Sequence, residues 1–140
     1  MLRLSTKTRY GLRILVRLAE AGRQGILLNG PDLAEQEDLT EAYLEQIMIP
    51  LKTHGLVRAI RGRRGGYQLK RPPETITVLD VIALLERGAD LVVCRINGRP
   101  CPRRTRCPAH PVWQRLTKAL QAEAGQITLT QMMVPGDSAG

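Results

Sequence analysis

The chain has 140 residues, 43% of them apolar, and 21 Lys or Arg against 13 Asp or Glu, a net charge of +8. That length supports one core, or a small domain with an oligomerisation element. No apolar run approaches a membrane span and Met1–Lys7 lacks the apolar stretch of a secretion signal, so a cytoplasmic, reducing setting is expected.

Ser5 and Thr6 can cap a first helix, on which Leu12, Leu15, Val16 and Ala19 recur at helical spacing. Arg9, Arg13 and Arg17 form a basic stripe on it, and Gly22 and Gly25 stop it. Ile26–Leu28 is apolar enough for a very short strand. Asn29-Gly30-Pro31-Asp32 starts a second helix, with Pro31 pre-set for the first helical position and Asp32 near the positive end of the dipole. This helix is short, because Leu33 and Ala34 give way to polar Glu35-Gln36-Glu37-Asp38. Thr40 then caps a third helix carrying Tyr43, Leu44, Ile47, Met48 and Leu51. Two helices so joined form the helix-turn-helix pattern, although Glu37-Asp38-Leu39 occupies a turn where glycine is common. Pro50 removes one backbone hydrogen bond and is expected to kink the third helix late, leaving its first three turns straight.

Leu56–Ile60 and Tyr67–Lys70 are strand-like, and Arg61-Gly62-Arg63-Arg64-Gly65-Gly66 between them is a glycine-rich tip loaded with arginine. Three helices followed by a basic hairpin make a winged helix, with the tip as the wing. A nucleotide-binding loop is excluded there, since no Gly-Lys-Ser/Thr ending is present and no helix starts after it. Arg71-Pro72-Pro73 closes the wing. Thr77-Val78-Leu79-Asp80 is a capping box for a fourth helix with Val78, Ile82 and Leu85 on its buried face, and Gly88 ends it. Pro111 begins a further helix whose Val112, Leu116, Ala119 and Leu120 share one face, with Trp113 beside them. A partner subunit is the expected cover for that stripe, and packing within the same chain is the alternative. Thr128–Met133 adds a final turn, and 134–140 reads as a disordered tail.

Charge is concentrated in two stretches without a carboxylate. One holds Lys52, Arg58, Arg61, Arg63, Arg64, Lys70 and Arg71, the other Arg95, Arg99, Arg103, Arg104 and Arg106. These twelve cations exceed the net +8, so the rest of the chain sums to −4. Such clustering is the footprint of a polyanion partner. Aromatic stacking platforms for single strands are scarce, because there is no Phe and only Tyr10, Tyr43, Tyr67 and Trp113 are aromatic. Duplex is therefore favoured.

The second basic stretch also contains every cysteine of the chain: Cys94, Cys101 and Cys107, followed by His110, spaced C-x6-C-x5-C-x2-H. Thiolates and imidazole suit zinc or an iron–sulfur cluster. Pro100, Pro102, Pro108 and Pro111 keep the loop free of competing helix or sheet. An odd count excludes a closed disulfide framework. An enzyme or cluster carrier is disfavoured, since His54 has no evident acid/base partner, no paired carboxylates stand out, and an electron carrier does not need an arginine wing.

Arg3-Leu4-Ser5-Thr6-Lys7 with Arg9-Tyr10, then Tyr43-Leu44-Glu45-Gln46, then Gly55-Leu56-Val57 with Arg61-Gly62 and Gly65-Gly66-Tyr67 carry a family resemblance. They resemble the winged-helix regulators typified by the iron–sulfur cluster assembly regulator (IscR), a family that includes the nitric-oxide-sensing NsrR. The resemblance runs in order from about residue 2 to about residue 133. It implies a mainly α protein with a small β-hairpin: a homodimeric winged helix-turn-helix with a C-terminal dimerisation helix. The implied function is transcription regulation, repressor or activator according to cluster state, and not enzymatic. Residues 1–75 would be the DNA-binding region and 76–133 the cluster loop and dimerisation helices.

The resemblance further implies a 2Fe–2S cluster on Cys94, Cys101, Cys107 and His110. A structural zinc in the same loop, without sensing, is the alternative. Six residues separate Cys94 and Cys101 where the family pattern has five, an insertion a loop absorbs. Nitric-oxide sensors of the family take a carboxylate from the first helix. The matching position here is Arg9, which cannot ligate, so a 4Fe–4S centre is not expected. The expected DNA-contacting residues are Thr6, Lys7, Arg9, Tyr10, Thr40, Glu45, Gln46, Arg61, Arg63 and Arg64, on a palindromic duplex operator. Glu45 can accept from cytosine N4 and Gln46 can pair with adenine. Ala42 stands where the family has a serine. Arg61 suits a minor groove, while Thr6, Lys7, Arg9 and Tyr10 suit phosphates.

Overall fold

The computed structural model describes residues 3–134. Along them run helices α1 (Thr6–Arg23), α2 (Gly30–Glu37) and α3 (Glu41–Thr53), then the hairpin β1 (Val57–Ile60) and β2 (Gly66–Leu69). A 3-10 turn (Pro73–Thr75) leads to α4 (Val78–Leu85), a second hairpin β3 (Arg95–Ile96) and β4 (Arg99–Pro100), α5 (His110–Ala124) and α6 (Leu129–Met132). Three helices and a hairpin in this order are the expected winged helix. Of the tail expected over 134–140, residues 135–140 lie outside the described residues, and Val134 is tied down, its N–H donating to Glu20 at 3.0 Å. No helix among the described residues is long and apolar enough to cross a membrane.

The helix starts follow from side chains that satisfy the first free amides. Ser5 accepts from Thr8, Asn29 from Asp32, and Thr40 from Tyr43. The Thr77–Asp80 capping box is present, and Thr128 with Gln131 forms a second one that the sequence reading passed over. In the turn between α2 and α3, Asp38 takes the left-handed conformation at φ 57° and ψ 47°. Its N–H closes onto the Ala34 and Glu35 carbonyls. Aspartate tolerates this region better than most residues, so the turn forms without a glycine. Pro50 lies inside α3, which continues one turn further to Thr53.

One buried cluster holds these elements. Ile14, Leu15 and Leu18 of α1, Leu33 of α2, and Leu44, Ile47, Met48 and Leu51 of α3 are its centre. Val57, Ile76, Val81 and Leu129 complete it, so residues on both sides of the wing share a single core. On α4 the deepest residue is Val81, while Val78 and Leu85 are only half-buried. Leu85 packs on α1 at Gly11, where a Cβ would overlap it. The wing strands pair antiparallel from Val57↔Leu69 to Ile60↔Gly66. Of the strand expected at 26–28, one bridge remains, Leu28 against Tyr67. Gly66 permits it, because a Cβ there would stand 2.7 Å from the Leu28 carbonyl oxygen.

Two carboxylates add polar ties between helices that also share the apolar core. Glu37, 3% exposed, ion-pairs with Arg17 and lies 2.8 Å from Arg13. The basic stripe of α1 is thus partly consumed inside the fold. Glu86, just past α4, accepts from the Ser5 N–H at 2.6 Å and the Thr8 hydroxyl at 2.7 Å. The Thr8 hydrogen bond, with help from Ser5 and against some desolvation, holds the Glu86 carboxyl below the usual carboxylate range.

The two ends of the Glu37 clamp are unequal. Replacing Arg13 and Arg17 together by Ala strands a buried carboxylate and is expected to cost roughly 3–5 kcal/mol. Glu37→Gln leaves guanidinium groups that reach water, and should cost only about 1–2 kcal/mol. Urea unfolding of both variants checks the order.

Candidate nucleic-acid interface and cysteine loop

Burial of Leu44, Ile47, Met48 and Leu51 turns the opposite face of α3 outward. That face carries Ala42, Glu45, Gln46 and Ile49, all exposed. Thr40 is exposed as well, with its hydroxyl engaged in the cap. Glu45 is not free. It accepts from the Lys52 ammonium at 3.2 Å and from the Tyr67 hydroxyl at 3.1 Å, which links the helix to the wing strand β2. Lys52 also stands 5.6 Å from the centre of the Tyr67 ring. Burial, then the Glu45 charge and its hydrogen bond, push the Tyr67 hydroxyl above its ordinary pKa. Nothing in the spacing of Lys52 and Tyr67 marks them as partners of Glu45. Only the fold brings residue 67 to residue 45.

At the wing tip Arg61, Arg63 and Arg64 are exposed, and none is ion-paired among the described residues. Gly62 at φ 117° lets the tip turn, closed by Gly65 N–H donating to the Gly62 carbonyl at 3.0 Å. At the start of α1, Thr6 and Arg9 are exposed and Lys7 partly so, with Arg9 donating to the Thr6 hydroxyl at 3.2 Å. Tyr10 is half-buried. Its ring meets Tyr43 edge-on at 6.4 Å, with the Arg13 guanidinium over it at 5.6 Å.

The cysteine loop holds a short hairpin, β3 with β4, where its prolines predict neither helix nor sheet. Asn97 and Gly98, at φ 51° and 76°, form a two-residue turn between β3 and β4. Asn-Gly is the dipeptide that such turns favour, so the signal was available. The hairpin sets Cys94 opposite Cys101, whose N–H donates to the Cys94 carbonyl at 2.8 Å. Cys107 precedes α5, and the His110 N–H donates to its carbonyl at 3.3 Å. All three thiols are free and half-buried. Cys94 and His110 line one pocket of about 360 Å³, with Arg104, Trp113 and Lys118 among its other walls. His110 Nδ1 is buried without a hydrogen-bond partner. Among the described residues, however, no three ligating side chains are gathered at metal-binding distance.

On α5 Val112, Trp113, Leu116 and Leu120 are 37–50% exposed, so the described residues leave the stripe partly uncovered. Val92 and Val93, before the first cysteine, are exposed too. Leu91 N–H donates to Thr117 at 3.1 Å and the Gln121 amide to the Ala89 carbonyl at 3.3 Å, tying this segment to α5.

A helix-turn-helix with one face turned outward and a cationic wing beside it defines a winged-helix DNA-binding transcription regulator. The family model for Rrf2, described as an iron-dependent transcriptional regulator, matches residues 4–135, and the chain belongs to that family. The HTH-type transcriptional regulator CymR of Bacillus subtilis is 34% identical over 131 residues, covering 94% of this chain and 89% of CymR. IscR of Vibrio cholerae is 30% identical over 136 residues, covering 97% of this chain and 78% of IscR. Among solved structures, CymR of B. subtilis, described as its global cysteine regulator, superimposes with a TM-score of 0.75 at 35% identity, covering 94% and 96% of the two chains. T. potens IscR gives 0.74 at 30% identity, covering 99% and 97%.

The Tyr67–Glu45 contact has a spectroscopic consequence. Tyr67 should ionise at higher pH than an ordinary tyrosine. Glu45→Gln should lower that point only part of the way, because burial is the larger cause. Tyrosinate absorbance, with Tyr67→Phe as the subtraction, measures it.

Proposed function

We propose that this regulator is a homodimer that ties binding at a palindromic duplex operator to the state of a 2Fe–2S cluster held by Cys94, Cys101, Cys107 and His110. The carrying observation is the buried, unpartnered Nδ1 of His110 at the end of a loop that holds every thiol of the chain. A buried imidazole nitrogen with no partner costs free energy that a ligand can recover. Three thiolates and one imidazole are a donor set that iron–sulfur centres accept, and the iron-dependent description of the family supports iron over zinc. When bound, the cluster supplies a centre sensitive to redox state and to cluster supply. The hairpin keeps Cys94 and Cys101 adjacent, while Trp113, Gln114 and Thr117 of α5 wall the pocket that His110 lines.

On this reading residues 1–75 contact DNA and 76–133 carry the cluster and the dimer interface. Gln46 faces base edges in the major groove, and Glu45 takes cytosine N4 when Tyr67 and Lys52 release it. Arg61 enters the minor groove, with Arg63 and Arg64 beside it. Thr6, Lys7, Arg9, Tyr10 and Thr40 contact phosphates. A physical route joins the two regions. The segment before Cys94 is bonded to α5, and Glu86 at the end of α4 holds the start of α1, where Thr6, Lys7 and Arg9 stand. Ordering of the loop can therefore bias the phosphate-contacting end of α1.

Protein purified without oxygen is expected to be brown, with iron and sulfide in equal amounts, and to lose its colour on Cys94→Ala, Cys101→Ala or Cys107→Ala. A colourless protein holding zinc would replace the cluster by a structural metal. For the dimer, Leu116→Asp should give monomers by light scattering. It should also lower operator affinity by orders of magnitude, because half the contacts to a two-fold site are lost. An unchanged dimer would remove α5 from the interface.

A further inference from the structure

Ala42, Gln46, Ile49 and Thr53 follow one line along the outward face of α3, at spacings that keep side chains in register on a helix. Three of these positions are readily explained. Ala42 is small, Gln46 offers an amide, and the Thr53 hydroxyl is spent on the Ile49 carbonyl at 2.8 Å. Ile49 is different. It is a branched aliphatic side chain, 51% exposed, on the face opposite the core. Glu45 stands to one side of the line, held by Lys52 and Tyr67.

We infer that Ile49 is a specificity residue that packs on thymine methyl groups in the major groove, one turn along α3 from Gln46. The inference rests on the reading of α3 as the helix that enters the groove. A lone exposed apolar side chain is ordinary on a protein surface. This one, however, sits at the centre of the face that a helix-turn-helix turns toward base edges. The C5 methyl of thymine is the apolar group that major-groove edges offer, and aliphatic side chains select it. Charge decides the occupant. Arg61, Arg63 and Arg64 on the adjacent wing are exposed and unpaired among the described residues. They suit the polyanionic duplex beside that groove, whereas a second copy of a chain with net charge +8 would bring more cations against them. Gln46 and Ile49 then make complementary demands. The amide pairs with adenine and the aliphatic group takes thymine, so the operator half-site should carry adjacent A·T pairs under this stretch of helix.

The test uses the full chain and a duplex selected from a random-sequence library. Thymines of the selected site are replaced one at a time by uracil, which removes only the methyl. For the wild-type protein, uracil at the contacted position should weaken binding roughly three- to tenfold. Ile49→Ala should weaken binding to the thymine site by a similar factor and abolish the difference between thymine and uracil. Ile49→Val, which keeps a branched aliphatic group, should retain most of it. The slope of affinity against salt should be the same for all three proteins, because no phosphate contact changes. Equal methyl dependence in wild type and Ile49→Ala would overturn the role of Ile49 while leaving α3 in the groove. Failure of the wild-type protein to select any duplex would overturn the reading of α3 itself.

Discussion

The arrangement of this protein depends on one stripe of side chains. Leu44, Ile47, Met48 and Leu51 of α3 are buried against α1, α2 and β1. Removing four large aliphatic groups from water supplies several kcal/mol toward docking the helix. Burial also fixes its rotation about its own axis. Rotation decides which residues face outward, so the same packing that stabilises α3 aims Gln46 and Ile49 away from the core. The helix is held by one side and presents the other to solvent.

Around that apolar constraint, carboxylates do the connecting. In a chain with 21 cations and 13 acids, an acid has a choice of partners, and the fold decides which it takes. Glu37 draws Arg13 and Arg17 into a clamp between α1 and α2. Glu86 takes two donors at the start of α1 and so joins that helix to the end of α4. Glu45 binds Lys52 within α3 and Tyr67 across to the wing. The wing tip has no carboxylate near it in sequence, and its arginines remain without an ion pair among the described residues. Placement of acids thus divides cations that serve the fold from cations available to a polyanion.

The cysteine loop follows different rules. It contributes no residue to the buried cluster, and short hairpin bonds and the start of α5 position it instead. Its thiols are half-buried and its arginines exposed, so little apolar burial opposes rearrangement of the segment between Cys94 and His110. The neighbouring α5 face is exposed over the same length. Cysteine loop and exposed α5 face therefore adjoin, in a region tied to the N-terminal helices through the shared core and Glu86.

Local chemistry made much of this legible in the sequence. Capping residues Ser5, Asn29, Thr40 and Thr77 start helices where they stand, because a cap needs only neighbours three residues away. Periodicity likewise marked the buried residues of α3, and the glycine-rich arginine tip marked the wing. The donor set of the loop could be read because all three cysteines lie within fourteen residues. What the tertiary structure decided was long-range. Glu37, read as part of a polar turn, is buried, because α1 presents two guanidinium groups at its position. Val81 rather than Val78 or Leu85 lies deepest on α4, since the approach of Leu85 to Gly11 sets how that helix lies on α1. Glu45 meets Tyr67 across twenty-two residues of chain. Spacing along a chain specifies which groups share a helix face; which distant group they meet depends on how the elements pack, and that is settled only when the core closes.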